Sequence, residues 1–241
     1  MSKSFFMDLT RCTACRGCQV ACKQWNKNPA TETKNRGSHQ NPADLNYHTF
    51  KLVRFNEVEV DGSLKWLFFP DQCRHCIEPP CKMVADGYDE RAIIHDEATG
   101  AVIYTEHTKA IPADTAGTDL CPYDIPRRDA KTGMWSKCTM CFDRVQQGLK
   151  PACVLSCPTG TMNFGDREEM LALAEKRLAV VKKQYPKAAL VDADAVRVIV
   201  LIEEQPENYH QYLSASADMA PGLLSRKQMF AKLLRPFRVI G

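Results

Sequence analysis

Residues 12–22 read Cys12-Thr-Ala-Cys15-Arg-Gly-Cys18-Gln-Val-Ala-Cys22, and the rest of the chain is organised around them. The pattern is C-x2-C-x2-C-x3-C. Its two-residue gaps let a tight loop place three sulfurs around one [4Fe-4S] cube, and the fourth sulfur reaches a different cluster. Cys18 and Cys22 stand four apart, which is one helical turn if a helix starts here. A complementary run must therefore exist. Cys138-x2-Cys141-x11-Cys153-x3-Cys157-Pro158 supplies it, with three thiols, a spaced fourth and a following Pro. Each run lends its last cysteine to the other's cluster. The expected ligands are Cys12, Cys15, Cys18 and Cys157 for one cluster, and Cys138, Cys141, Cys153 and Cys22 for its neighbour. Zinc also takes four thiolates, but usually as two separated C-x2-C pairs. A disulfide framework suits a short secreted chain. Neither habit packs four cysteines into the stretch from 12 to 22.

A third run is Cys73-x2-Cys76-x4-Cys81, with Pro79 and Pro80 stiffening the loop before its last thiol. It lacks a fourth cysteine, because a C-x3-C step from Cys81 lands on Ala85. Cys121-Pro122 has the opposite deficit: it carries the closing Pro, yet no C-x2-C-x2-C precedes it. The two deficits explain each other if this region derives from a second paired module. One cluster is kept on Cys73, Cys76, Cys81 and Cys121. Its twin, which needs three upstream cysteines and one at position 85, has been removed as a unit. The chain's 12 cysteines are then consumed by three clusters with none left over.

Composition agrees. The 241 residues suffice for one large domain or two small ones with a sizeable core. At 44% hydrophobic and 25% charged, the chain falls in the globular class. The cysteines are clustered rather than scattered, which favours metal over disulfides. Formal charge is +3. A [4Fe-4S] core held by four thiolates carries about −2, so three of them would make the folded protein mildly acidic. Nothing argues for nucleic acid. Met1 to Asp8 lacks the apolar segment and cleavage site of a signal peptide. No run approaches the ~18 apolar residues of a membrane span. Val196 to Ile202, interrupted by Arg197, reads as a buried strand.

Ser4 to Asp8 reads as a short strand feeding the first cysteine loop, and 23–47 as a long polar loop. A hairpin follows. Val58 and Val60 alternate with acids, Asp61-Gly62 turns, and Leu64, Trp66 and Phe68 alternate outward, with packing as their expected role. A second hairpin spans Ala92 to Thr105, turning at Asp96 to Gly100, and 106–120 shows little periodicity. The glycines at 62, 87 and 100 read as turn residues. Asp166 can N-cap a helix ending near Tyr185-Pro186. In the tail, Leu223, Phe230 and Leu234 could line one face of a short helix, with packing on the chain's own body as the ordinary role and partner docking as the sharper one.

No catalytic constellation stands out. There is no Gly-rich phosphate loop, no H-E-x-x-H and no recognisable Ser-His-Asp motif. His75, between two ligand cysteines, is expected to hydrogen-bond near the cluster rather than ligate it. Arg16, Lys23, Arg74, Lys82 and Lys137 flank ligands. Their ordinary reading is solvated surface charge; the functional one is that cations beside an anionic cluster raise its potential.

The cysteine architecture resembles the iron-sulfur subunits of molybdopterin oxidoreductases, which include formate dehydrogenases, nitrate reductases and dimethyl sulfoxide reductases. Its three-cluster pattern is most similar to the beta subunits of soluble tungsten- or molybdenum-dependent formate dehydrogenases of sulfate-reducing bacteria. The stretches that carry the resemblance are Arg11 to Cys18, Ala21 to Trp25, Phe69 to Cys76, Cys121 to Pro126 and Arg144 to Asp166, within a match over about residues 4 to 212. The resemblance implies an α+β fold of two bacterial-ferredoxin-like modules with hairpin insertions and a C-terminal helix and tail. The first module is 1–35 with 130–165 and holds two clusters, the second is a degenerate 36–129 holding one, and 166–241 follows. The resemblance also implies a non-catalytic relay between a bis-pterin catalytic alpha subunit and an acceptor such as a multihaem cytochrome c. Alternatives are the relay of another molybdopterin reductase and a free-standing polyferredoxin. It further implies export to the periplasm on the partner's signal; the lack of a signal peptide fits that route and fits a cytoplasmic protein equally.

Overall fold

The computed structural model describes residues 2–215 of the chain. In chain order the elements are β1 (Lys3–Asp8), α1 (Gly17–Trp25), β2 (Leu52–Val60), β3 (Ser63–Asp71), α2 (Pro80–Asp86), β4 (Ile93–His95) and β5 (Val102–Tyr104). They continue with α3 (Gly117–Leu120), β6 (Arg127–Arg128), β7 (Trp135–Ser136), α4 (Phe142–Val145), α5 (Ala152–Leu155) and β8 (Met162–Asp166). The last are α6 (Arg167–Val181), β9 (Ala189–Val191), β10 (Val198–Ile202) and α7 (Pro206–Tyr209). The fold is therefore a mixture of short helices and short strands. None of the described helices is long and apolar enough to cross a membrane.

The strand expected at Ser4 to Asp8 is β1, and it lies inside a four-stranded sheet of order β8-β1-β10-β9. It pairs antiparallel with β8, Phe5 opposite Phe164, and parallel with β10, Phe5 opposite Val198. Parallel pairing needs a covered sheet, and every residue of β10 is buried. The two faces go to different layers. Phe6, Ile199 and Leu201 pack under α6 with Met170 and Ala174. Phe5, Met7, Val198 and Val200 face a core that contains Cys18, Met140 and Cys153. One face of the sheet is thus the floor on which the cysteine loops stand.

The β2–β3 hairpin turns at Asp61-Gly62 as expected, both residues having positive φ (52° and 75°) and Val60 pairing with Ser63. Its packing face differs from the expectation. Leu64 and Trp66 are 69% and 55% exposed, whereas Leu67 and Phe69 are buried with Leu52 and Val53. Towards the tip one face still lies on the body, with Val58 against the core and Lys65 paired with the buried Glu204 at 2.6 Å, while Leu64 and Trp66 stand on the face that meets solvent. At that base Asp71 accepts from Arg54 Nε and Arg74 Nη1, each at 2.8 Å. Burial alone would raise the Asp71 carboxyl, but Arg74 and Arg54 outweigh it and hold the group below the usual range. This buried network fixes the chain immediately before Cys73.

The second hairpin, β4–β5, spans the expected turn. The stretch 106–120 holds a 3-10 turn at Glu106–Ala110 and the single-turn α3. Asp166 does stand at the N-terminus of α6, but its carboxylate makes no cap. It accepts instead from Lys3 Nζ at 2.7 Å, which ties the helix start to β1. The helix ends at Val181, short of Tyr185, because Lys182 to Tyr185 unwind through hydrogen-bonded turns. The face of Leu223, Phe230 and Leu234 lies outside the described residues.

Candidate metal centres

The first C-x2-C step of each run adopts the same local conformation. The residue before the second cysteine is left-handed in all three: Ala14 (φ 52°), His75 (φ 47°) and Met140 (φ 63°). That inversion turns the backbone so that its own N–H points back at the first sulfur of the run. His75 N donates to Cys73 Sγ at 3.3 Å and Met140 N to Cys138 Sγ at 3.4 Å. Ala14 N does the same for Cys12. Non-glycine residues adopt this region at a cost of order 1 kcal/mol each, so three repeats in three loops mark a common task. The Cys-Pro closures repeat it: Tyr123 and Thr159 donate backbone N–H groups to Cys121 and Cys157. A thiol in ordinary packing needs no such donors. A thiolate does.

The helices then bring in the remaining sulfurs. Cys18 and Cys22 lie on α1, one turn apart, as the spacing requires. Gly17 starts that helix where a Cβ would meet Ser156 O at 3.1 Å, and this close approach seats α1 against α5. Cys153 is on α5 and Cys157 just beyond it. Cys18 and Cys22 thus lie on one face of α1, a turn apart along the α1–α5 contact, and line two different cavities.

Three cavities collect the cysteines in fours. Cys12, Cys15, Cys18 and Cys157 line the first, together with Val53 and Pro70. Cys22, Cys138, Cys141 and Cys153 line the second, with Phe50 and Gln72. Cys73, Cys76, Cys81 and Cys121 line the third, with Tyr104 and Lys137. These are the sets expected from the spacing, including the exchanged pair Cys22 and Cys157.

The donor sets fit a multi-iron core. Burial, followed by mutual repulsion, pushes Cys12 up to about 11 and Cys121, Cys138 and Cys153 up to about 12. Such thiols ionise at neutral pH only against a strong positive charge, which a bound metal core supplies. Among the described residues no three His, Cys, Asp or Glu side chains converge tightly enough to hold a single ion. In the third cavity the buried Tyr104 hydroxyl, which has no hydrogen-bond partner of its own, faces Cys81.

His75 makes the kind of hydrogen bond expected beside the cavity: its Nδ1 accepts from Val102 N at 3.1 Å, and burial, then Lys137 and Arg197, hold the ring well below the usual histidine range. The flanking cations divide. Arg16 and Lys23 are on the surface and bond backbone carbonyls, and Lys82 pairs with Asp86 at 2.8 Å. Arg74 and Lys137 are corrected, being 2% and 5% exposed rather than solvated. Lys51 is a residue to which the cysteine spacings give no pointer. It is 1% exposed in the stretch Phe50-Lys51-Leu52-Val53, and its only signal is a lysine set in an apolar run.

The sequence matches the 4Fe-4S dicluster domain over residues 64–167. It is 60% identical to the formate dehydrogenase subunit beta of Megalodesulfovibrio gigas, over 89% of this chain and 100% of that one. It is 58% identical to the formate dehydrogenase 2 subunit beta (cytochrome c-553) of Nitratidesulfovibrio vulgaris, over 88% of this chain and 98% of that one. The formate dehydrogenase-O iron-sulfur subunit of Escherichia coli is 39% identical, over 85% of this chain and 68% of its own. With cysteines gathered in fours and relatives matched over nearly their whole length at this identity, the chain belongs to the family of formate dehydrogenase beta subunits, the iron-sulfur subunits of that oxidoreductase.

Proposed function

We propose that this chain conducts electrons in file through three [4Fe-4S] clusters, from a formate-oxidising alpha subunit with a tungsten or molybdenum bis-pterin site to a multihaem cytochrome c. When bound, each cluster supplies one-electron exchange. Cys12, Cys15, Cys18 and Cys157 hold the first, Cys22, Cys138, Cys141 and Cys153 the second, and Cys73, Cys76, Cys81 and Cys121 the third. The observation that carries this reading is the placement of the second cavity. It shares α1 and α5 with the first, and its Cys138 stands against Cys73 of the third. Exposure supports the two ends. Cys15 is exposed and Cys12 and Cys157 half-buried at the first, all four thiols of the second are buried, and Cys76 is half-buried at the third. The first then faces the catalytic partner and the third the acceptor. The name of the Nitratidesulfovibrio relative, which includes cytochrome c-553, supports a c-type cytochrome as the partner at that end, without bearing on its haem number.

The module reading follows the same lines. Residues 1–35 with 130–165 form one two-cluster unit, 36–129 a degenerate one, and 166–241 a C-terminal addition. Cys81 and Ala85 on α2 mirror Cys18 and Cys22 on α1. Ala85 is fully buried in the core beside Cys73 and Cys121, so a methyl group packs where the exchanged ligand of the missing cluster would project. Export of the folded chain on the partner's signal places the complex in the periplasm.

The chain is expected to purify from the periplasmic fraction together with a formate-oxidising subunit. Alone and iron-replete, it is expected to show no formate turnover, as its relatives are the beta, iron-sulfur subunits of formate dehydrogenases. Turnover by the pure chain would overturn the relay reading; recovery with a different reductase would overturn its assignment to formate oxidation, and recovery from the cytoplasm only the export.

A further inference from the structure

The cysteine cavities leave two buried lysines unexplained. Lys51 is 1% and Lys137 5% exposed. Lys51 Nζ donates to Pro70 O at 3.2 Å and to Gln72 Oε1 at 2.7 Å. Pro70 lines the first cavity and Gln72 the second, so the ammonium occupies the wall between them. Lys137 stands one gap further on. Its Nζ donates to Val102 O and, at 3.0 Å, to Cys138 O. Cys138 belongs to the second cavity, and Lys137 and Val102 line the third.

Among the described residues neither lysine forms an ion pair with a carboxylate. Arg74 is the contrast: equally buried beside Cys73, it is neutralised by Asp71 at 2.8 Å. A buried ammonium bonded only to neutral oxygens is costly unless an anion stands close by. For Lys51 the available anions are thiolates of both flanking cavities. Burial lowers its affinity for the proton, and Cys153, Cys18, Cys138 and Cys22 together more than reverse this.

We propose that Lys51 and Lys137 are positioning charges for electron transfer, each standing between two consecutive clusters and raising the reduction potential of both. This rests on reading the three cysteine sets as [4Fe-4S] sites. A one-electron reduction adds negative charge to a site, so a fixed cation beside it favours the reduced form. A lysine in the shared wall moves both neighbours in the same direction. It therefore sets the level of the relay while leaving the step across its own gap nearly level. The second site lies beside both lysines and is raised twice.

The test is a redox titration of the intact complex, followed by electron paramagnetic resonance, for Lys51→Met, Lys137→Met, Lys51→Gln and Lys51→Arg. Lys51→Met is expected to weaken reduction at two of the three sites by about tenfold each, a fall of about 59 mV for a one-electron couple. Lys137→Met is expected to move two sites as well, and one moved midpoint is common to both variants. Lys51→Arg, which keeps the charge, should stay near the unsubstituted protein. Midpoints unmoved in a variant that retains its iron, or all three moved equally, would overturn the proposal. If Lys51→Met loses iron, the comparison passes to Gln and Arg. Iron retained by Arg and lost by Gln supports a required charge; iron lost by both makes Lys51 a packing residue and overturns it. Iron analysis of the unsubstituted complex separates this outcome from a failure of the cluster reading itself.

Discussion

Replacing Cys76 with serine is expected to cut reduction of the physiological cytochrome by roughly tenfold or more, while formate-dependent reduction of a small artificial dye largely survives. Serine supplies a harder, more basic ligand, and each fall of about 59 mV in a one-electron site costs tenfold in its occupancy by the electron. Cys76 serves only the third cavity, which shares no cysteine with the other two. The substitution is also local. The backbone at Cys76 bridges to Val196, and Ile77 N donates to Ala195 O at 2.9 Å, so the loop stays anchored to the turn before β10. A dye can draw electrons from the first site, where Cys15 is exposed. A cytochrome docked at the third cannot. Steady-state rates with the two acceptors, measured on the same assembled complex, check this. Equal loss of both activities, or sparing of the cytochrome rate, would mean that the third site is not the exit.

Removing the iron is expected to unfold the cysteine-bearing half of the protein rather than leave an empty scaffold. The ligands are part of the core: Cys18 and Cys153 pack in one apolar cluster, and Cys73, Cys81, Cys121 and Cys138 in another. Without the metal core, each set of four thiols loses the group that joins its loops, and a typical domain is held together by only ~5–15 kcal/mol. The local elements cannot compensate. Helices α4 and α5 have four residues each and α1 nine, all below the ~12–15 that an isolated helix needs. Hydrogen exchange on chelated, anaerobically handled protein is expected to show protection lost at α1 and α5. It should persist longest in β10, which is buried throughout and paired on both sides. Unchanged protection at α1 after iron removal would contradict this.

The cysteine sets were legible in the sequence because their constraint is local. Two-residue gaps define a loop that can close on one sulfur only through a left-handed residue, and Ala14, His75 and Met140 each take that conformation. The exchanged ligands were legible for the same reason, since four residues along α1 is one turn. What depends on distant chain was not. Alternation marked the β2–β3 hairpin and its turn, yet could not say which face of it would reach the body, and Trp66 ended exposed while Phe69 was buried. The strand at Val198–Ile202 was visible as an apolar run, but its parallel pairing with β1 joins opposite ends of the described chain. Asp166 reads as a helix cap from its neighbours, and Lys3 claims its carboxylate from the adjacent strand. Lys51 and Lys137 look like surface charges in one dimension. Only the positions of Pro70, Gln72 and Val102 around their ammonium groups place them between cavities.

The central claim is three clusters of one kind in one chain, and quantitative iron and acid-labile sulfide analysis of the purified subunit tests it most directly. The 12 cysteines, gathered in fours around three cavities, predict about twelve irons and about twelve sulfides per chain. About eight or sixteen irons per chain, or zinc in place of iron, would contradict it.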